Sequence, residues 1–157
     1  MAAALDLQTP AARPVPTAAQ RIVGTWQLMT RTVSRPDGSA IVDPVLGQKP
    51  IGQLVYDATG RMSLQMMRVD RKAAITTPAN PQDQTSQRVM LGYDSYFGRY
   101  TVDENAGTVT HHVEGSLFPE DVGDDWVRPF TLKGDTLTLR LTGDDGLTRT
   151  LIFQRRR

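Results

Sequence analysis

His111 and His112 are the only two histidines in the chain, side by side in the run Val109-Thr110-His111-His112-Val113. Imidazole changes charge near neutral pH, so either ring could move a proton or hydrogen-bond a ligand. Neighbouring residues of a strand point to opposite faces. Only one histidine can share the face of Val109 and Val113, and that one is His111. The pair faces opposite ways, the chain has no third histidine and no cysteine, and no metal or cofactor is expected. Arg128 is the second candidate. It alternates with Val127 and Pro129 and shares its parity with Trp126, Phe130 and Leu132. A guanidinium on an apolar face needs a partner, either a side chain or a ligand bearing an anionic or carbonyl oxygen. Tyr56, Tyr96 and Tyr100 complete the set with hydroxyls on otherwise apolar faces. The chemistry these types could perform is proton transfer by His111 and Tyr100, with Arg128 stabilising an enolate-like oxygen. The same residues could instead bind without reacting. A ligand would then meet Tyr56, Met62, Leu64, Tyr96, Tyr100, His111, Trp126, Arg128 and Phe130. The plainer alternative is a core histidine held by a carbonyl or a tyrosine, with tyrosines and methionines as packing.

Such faces require strands. Tyr96, Gly98, Tyr100 and Val102 alternate before an Asn/Gly-containing turn, and Val109, His111 and Val113 alternate after it, which is a hairpin signature. Asp57-Ala58-Thr59-Gly60 is a second tight turn. Around it Tyr56 should face Met62, Leu54 should face Leu64 and Gly52 should face Met66, with all six on the interior side. Trp126 to Leu132, Leu137 to Leu141 and Leu147 to Phe153 alternate likewise, joined by Lys133-Gly134-Asp135 and Gly143-Asp144-Asp145-Gly146. Pro129 cannot donate to a ladder, so its strand should carry a bulge or a gap in pairing. At the start, Trp26, Leu28, Thr30 and Thr32 form one parity and Gln27, Met29, Arg31 and Val33 the other. Residues 41 to 50 read as a rim loop. Asn80-Pro81-Gln82-Asp83 reads as a helix start, and the spacing of Ser86, Val89, Met90 and Tyr93 predicts one short helix over 81–93, between the third and fourth strands.

Eight strands joined mostly by short turns, each with one apolar face, predict an all-β fold. An eight-stranded up-and-down antiparallel barrel removes both sheet edges and leaves room for one small ligand or a filled interior. The chain of 157 residues supports one domain. Residues 1–20, rich in Ala and Pro, read as a disordered arm, and 21–157 as the barrel domain. The arm makes a poor secretory signal, which favours the cytoplasm over secretion or the periplasm. No apolar run approaches bilayer length. Eighteen basic and 17 acidic residues give a formal net charge of +1, a balance that argues against a nucleic-acid partner. Glu120, Asp121, Asp124 and Asp125 read as a solvated acidic loop rather than a calcium site.

Several pieces, in this order and spacing, resemble a known family. They are Gly24-Thr25-Trp26; Gly52-Gln53-Leu54-Val55-Tyr56 with Gly60-Arg61-Met62-Ser63; Tyr96-Phe97-Gly98 leading to Tyr100; Val109 to Glu114; and Arg128 followed by Gly134-Asp135-Thr136-Leu137-Thr138-Leu139. Together they resemble the lipocalin-like domain family, small bacterial and fungal β-barrel proteins, over Ile22 to about Leu141. The resemblance implies a calyx-shaped barrel and leaves activity open, since some members lie among biosynthetic genes. It also implies that Trp26 closes the barrel base against a late arginine, either Arg149 or one of Arg155 to Arg157. The expected function is binding of a small hydrophobic molecule with a polar or acidic end. The alternatives are a barrel isomerase, cyclase or hydratase and a ligand-free dimeric interaction protein.

Overall fold

The computed structural model describes residues 15–71 and 92–157. A short helix, α1 (Ala18–Ile22), precedes nine strands: β1 (Gly24–Ser34), β2 (Ala40–Ile41), β3 (Ile51–Tyr56), β4 (Arg61–Met67), β5 (Tyr93–Asp103), β6 (Thr108–Ser116), β7 (Asp125–Lys133), β8 (Thr136–Thr142) and β9 (Thr148–Arg156). A 3-10 turn at Pro119–Asp121 links β6 to β7. All pairings are antiparallel. Eight strands run in sequence from β1 and β3 through β9, and β9 returns to pair with β1. The result is a closed all-β barrel, with β2 added beside the far end of β1 through Val33↔Ile41 and Ser34↔Ala40. Closure satisfies the backbone groups that an open sheet would leave bare.

The β3–β4 register follows the alternating pattern: Tyr56 opposes Met62, Leu54 opposes Leu64 and Gly52 opposes Met66. These five apolar side chains are buried. The predicted parities of β6, β7 and β8 also hold, with Val109, His111, Val113, Arg128, Leu137 and Leu139 inward. The β7–β8 ladder runs only from Phe130↔Leu139 to Lys133↔Thr136. The Phe130 N–H bonds toward β6, at the Gly107 carbonyl. Successive N–H groups alternate in direction, so the missing N–H of Pro129 faces β8, and the two strands part there.

One parity differs from expectation. The β1–β9 register shifts between Leu28 and Thr30, where Met29 forms a bulge and is 57% exposed. One extra residue inverts every later position of the strand. Arg31 and Val33, expected opposite to Trp26, therefore share the interior with it, and Arg31 pairs across from Leu151. A second difference lies at Tyr93, which opens β5 rather than ending a helix. The rest of the helix expected over 81–93 lies outside the described residues, apart from Gly92.

The lower barrel is filled by Ile22, Trp26, Tyr56, Met62, Val109, Leu137 and Phe153. Thr17 and Gln20 cap α1 reciprocally, Thr17 Oγ1 accepting from the Gln20 N–H and Gln20 Oε1 from the Thr17 N–H. Ala18, Ala19 and Gln20, the last three residues assigned to the arm, are its first three helical residues. Ile22 is fully buried, and its carbonyl accepts the Trp26 Nε1–H at 2.8 Å. Arg155 is the late arginine that covers Trp26. Its Cζ lies 4.1 Å from the indole centroid, and its guanidinium donates to the Val23 and Arg21 carbonyls. This ties the base of the barrel to the chain entering it.

Candidate functional site

The interior polar groups begin one layer above the base. Tyr56 on β3, Tyr96 on β5, His111 on β6 and Arg128 on β7 converge because each lies on the inward parity of its strand. His111 is fully buried. Its Nε2 lies 2.6 Å from the Tyr56 hydroxyl, and its Nδ1 lies 2.8 Å from the Tyr96 hydroxyl and 3.3 Å from Arg128 Nε. A guanidinium N–H can only donate, so Nδ1 is the unprotonated nitrogen. The ring proton is then on Nε2 and is donated to Tyr56. Burial, and next the Arg128 charge, hold the His111 pKa well below 6.5. Burial pushes the phenols of Tyr56 and Tyr96 up. His111 is thus a neutral imidazole with both nitrogens engaged, and it holds Arg128 in place from behind.

This predicts acid sensitivity. Below pH 6.5 the unfolded chain protonates this histidine and the folded chain does not. The unfolded state then binds more protons, and stability falls as pH falls, by about 1.4 kcal/mol per pH unit for this one group. The half-buried Asp94 carboxyl, whose pKa is raised chiefly by desolvation, acts in the opposite direction at lower pH. Urea unfolding at pH 7.5 and 5.5 should show a loss of roughly 1 kcal/mol in the wild type and a smaller loss in His111→Gln. Equal losses in the two proteins would mean that His111 titrates normally.

Arg128 is only 7% exposed. Its guanidinium lies 5.1 Å from the Trp126 ring centroid and 5.9 Å from that of Tyr96. Among the described residues it forms no ion pair; its Nε–H donates to His111, and it also acts on the Tyr96 hydroxyl beside that ring. In front of it lies a cavity of about 550 Å³ in the upper barrel. Leu64, Met66, Leu139, Leu141 and Leu151 form its apolar wall, with Tyr96 and Trp126. Val127 and Thr142, on the stretches where β7 and β8 are unpaired, also line it.

Of the residues singled out from the sequence, Leu64, Tyr96, Trp126 and Arg128 line this cavity. Tyr56 and His111 stand behind Arg128 and Tyr96. Met62 and Phe130 pack in the barrel below. Tyr100 is not brought to Arg128: its hydroxyl donates to the Asp57 carbonyl at 2.8 Å, in the β3–β4 turn at the base. His112 faces outward, with Nδ1 2.6 Å from Asp125 and Nε2 3.0 Å from the Thr101 hydroxyl. No group of three His, Asp or Glu side chains able to hold a metal occurs among the described residues.

Three charged residues line the cavity from inward strand positions that the sequence reading gave no part in a site: Arg31, Asp94 and Arg149; Asp121 and Asp125, expected in a solvated acidic loop, line it as well, with Asp144 and Asp145 of the β8–β9 turn. The Met29 bulge hid Arg31. Asp94 was legible, because it lies two residues before Tyr96 on the same parity. Arg149 was placed on an inward parity but considered only as the partner of Trp26. Two of the three are paired within the protein. Arg31 pairs with Asp43, which the Val45 and Leu46 N–H groups also hold, and Arg149 pairs with Asp145 at 2.5 Å. Burial lowers the pKa of Arg31 against the pull of Asp43. Burial likewise raises that of Asp94, against the charges of Arg31 and Arg128.

Solved structures similar to this chain include three designed or redesigned β-barrels. A redesigned β-barrel is 17% identical, with 89% of this chain and 96% of that one covered at a TM-score of 0.46. A de novo designed fluorescence-activating β-barrel is 14% identical, with 90% and 100% covered and the same TM-score. A redesigned barrel, mFAP1, bound to DFHBI, is 19% identical, with 88% and 98% covered at 0.45. No curated protein matches the chain. No helix among the described residues is long and apolar enough to cross a membrane. The lipocalin-like domain matches residues 23–155, nearly the whole barrel from the strand of Trp26 to Arg155 beside it, and the chain belongs to that family.

Proposed function

We propose that this barrel binds one small hydrophobic molecule and that the polar end of that molecule presents a carbonyl or carboxylate oxygen to Arg128. The carrying observation is a nearly buried guanidinium, facing a cavity with one apolar wall, with no carboxylate bonded to it among the described residues. Arginine stays charged on burial, and a buried charge without a partner is costly. A ligand oxygen supplies that partner through a charge-assisted hydrogen bond. The cavity's volume falls within the usual range for small-molecule sites, and an apolar wall stands beside its charged residues. A filled, ligand-free barrel fits a cavity of this size poorly. The acid–base reading gains little, because His111 has both nitrogens engaged and the Tyr100 hydroxyl is committed to the Asp57 carbonyl.

Native mass spectrometry of the protein from its own host should show a small molecule travelling with it. In solution, 2-acetonaphthone or 2-naphthoate should bind at least about tenfold more tightly than naphthalene, which corresponds to a single charged hydrogen bond. Equal binding of all three probes would remove Arg128 from the site.

A further inference from the structure

We propose that Asp94 is the second polar contact of the ligand, and that the occupant is a neutral molecule with a hydroxyl beside a carbonyl, such as an α-hydroxyketone on an apolar body. The proposal rests on the reading that a ligand oxygen meets Arg128.

Asp94 lines the cavity with Arg128 and is half-buried. Among the described residues its carboxyl has no hydrogen bond and no ion pair. Arg31 on β1 and Arg128 on β7 are the cations that act on it, while Asp121 after β6 and Asp43 after β2 act against its charge. Arg149 on β9 lines the same space but is committed to Asp145. Arg31 is committed to Asp43, and its Nε is buried without an acceptor. Asp125, Asp144 and Asp145 line the cavity from exposed positions and Asp121 is held by the Ser116 hydroxyl; of the other lining charges, Arg128 and Asp94 lack a carboxylate or guanidinium bonded to them, and their signs cancel.

This balance selects the ligand head. A carboxylate at Arg128 would set a second negative charge near Asp94. An ammonium group at Asp94 would set a further positive charge near Arg31 and Arg128. Either adds a net charge to a site that burial already makes unfavourable for ions. A neutral head carrying one acceptor and one donor satisfies both groups. Its carbonyl oxygen accepts from Arg128, and its hydroxyl donates to Asp94. The apolar wall takes the remainder of the molecule. Discrimination by a buried acceptor is strong, because an analogue lacking the donor leaves the carboxylate unpaired.

The test uses four matched probes titrated calorimetrically into the full chain: 2-hydroxy-1-(naphthalen-2-yl)ethanone, its methyl ether, 2-acetonaphthone and 2-naphthoate. The hydroxyketone should bind at least tenfold more tightly than each of the others. Asp94→Ala should abolish this preference, so that the hydroxyketone and its methyl ether bind within about twofold of each other. The comparison of hydroxyketone with methyl ether in the wild type carries the test even if that variant does not fold. Equal binding of the hydroxyketone and its ether overturns the role of Asp94 and leaves the Arg128 site standing. Tightest binding by 2-naphthoate overturns the neutral head and again leaves Arg128 in place. Failure of all four probes to bind overturns both proposals together.

Discussion

Gly98→Ala is expected to be the most damaging single-methyl change in this barrel. A β-carbon at Gly98 would lie 1.9 Å from the His112 carbonyl oxygen and 3.0 Å from the Glu114 nitrogen. Both obstacles are backbone in the neighbouring strand, so no side chain can swing aside. The crowding arises from the irregularity between Phe97 and Gly98, where pairing jumps from Gly115 to Val113 and Glu114 is left out. The two strands approach closely there. That approach also sets Tyr96 against His111 and therefore fixes the wall behind Arg128. Overpacking commonly costs 1–3 kcal/mol, and a backbone clash belongs at or above the upper end; a loss of about 3–4 kcal/mol is expected. The melting temperature should drop by roughly 10 °C for a domain of this size. Gly115→Ala is the control. Its β-carbon would meet only the Phe97 ring, at 2.4 Å, and that ring is 52% exposed and free to move outward. If Gly98→Ala melts within a degree or two of Gly115→Ala, the close approach of β5 and β6 is not the constraint described here.

Arg128→Met should separate binding from stability. Methionine roughly keeps the volume and removes the charge. The substitution deletes the donor that a ligand oxygen would use, so 2-acetonaphthone should lose about 1.5–3 kcal/mol of binding, or roughly 10- to 150-fold in affinity. Naphthalene, which has no oxygen, should bind both proteins alike. Stability should stay within about 1 kcal/mol, because relief of a confined charge is offset by its lost attraction to Asp94. His111 Nδ1 is not orphaned by the change, since the Tyr96 hydroxyl remains 2.8 Å away. Arg128 is also the second cause of the depressed His111 pKa, so the acid sensitivity should soften in the variant. A protein that unfolds on this substitution would mark Arg128 as a structural residue and remove the basis for ligand binding.

Much of the barrel was legible because strand alternation is a local property. Leu54, Tyr56, Met62, Leu64 and Met66 face inward for the reason visible in the chain: apolar residues at period two around a four-residue turn leave one sensible register. His111 and Arg128 were legible on the same grounds, as polar side chains on apolar parities. Pro129 announced a break in pairing because a missing N–H is a covalent fact. Tertiary structure decided what alternation cannot carry. The Met29 bulge depends on how β1 meets β9, strands more than a hundred residues apart in sequence, and it alone turns Arg31 inward. The choice of Arg155 over Arg149 as the cover for Trp26 is a matter of height along β9: Arg155 lies opposite Trp26, while Arg149 lies opposite Val33 at the other end. Asp94 shared a parity with Tyr96, but only barrel closure sets it in one cavity with Arg31 and Arg128. Residue types and period determined which side chains are inside. The shear and closure of the sheet decided which of them meet, because those distances run across strands rather than along them.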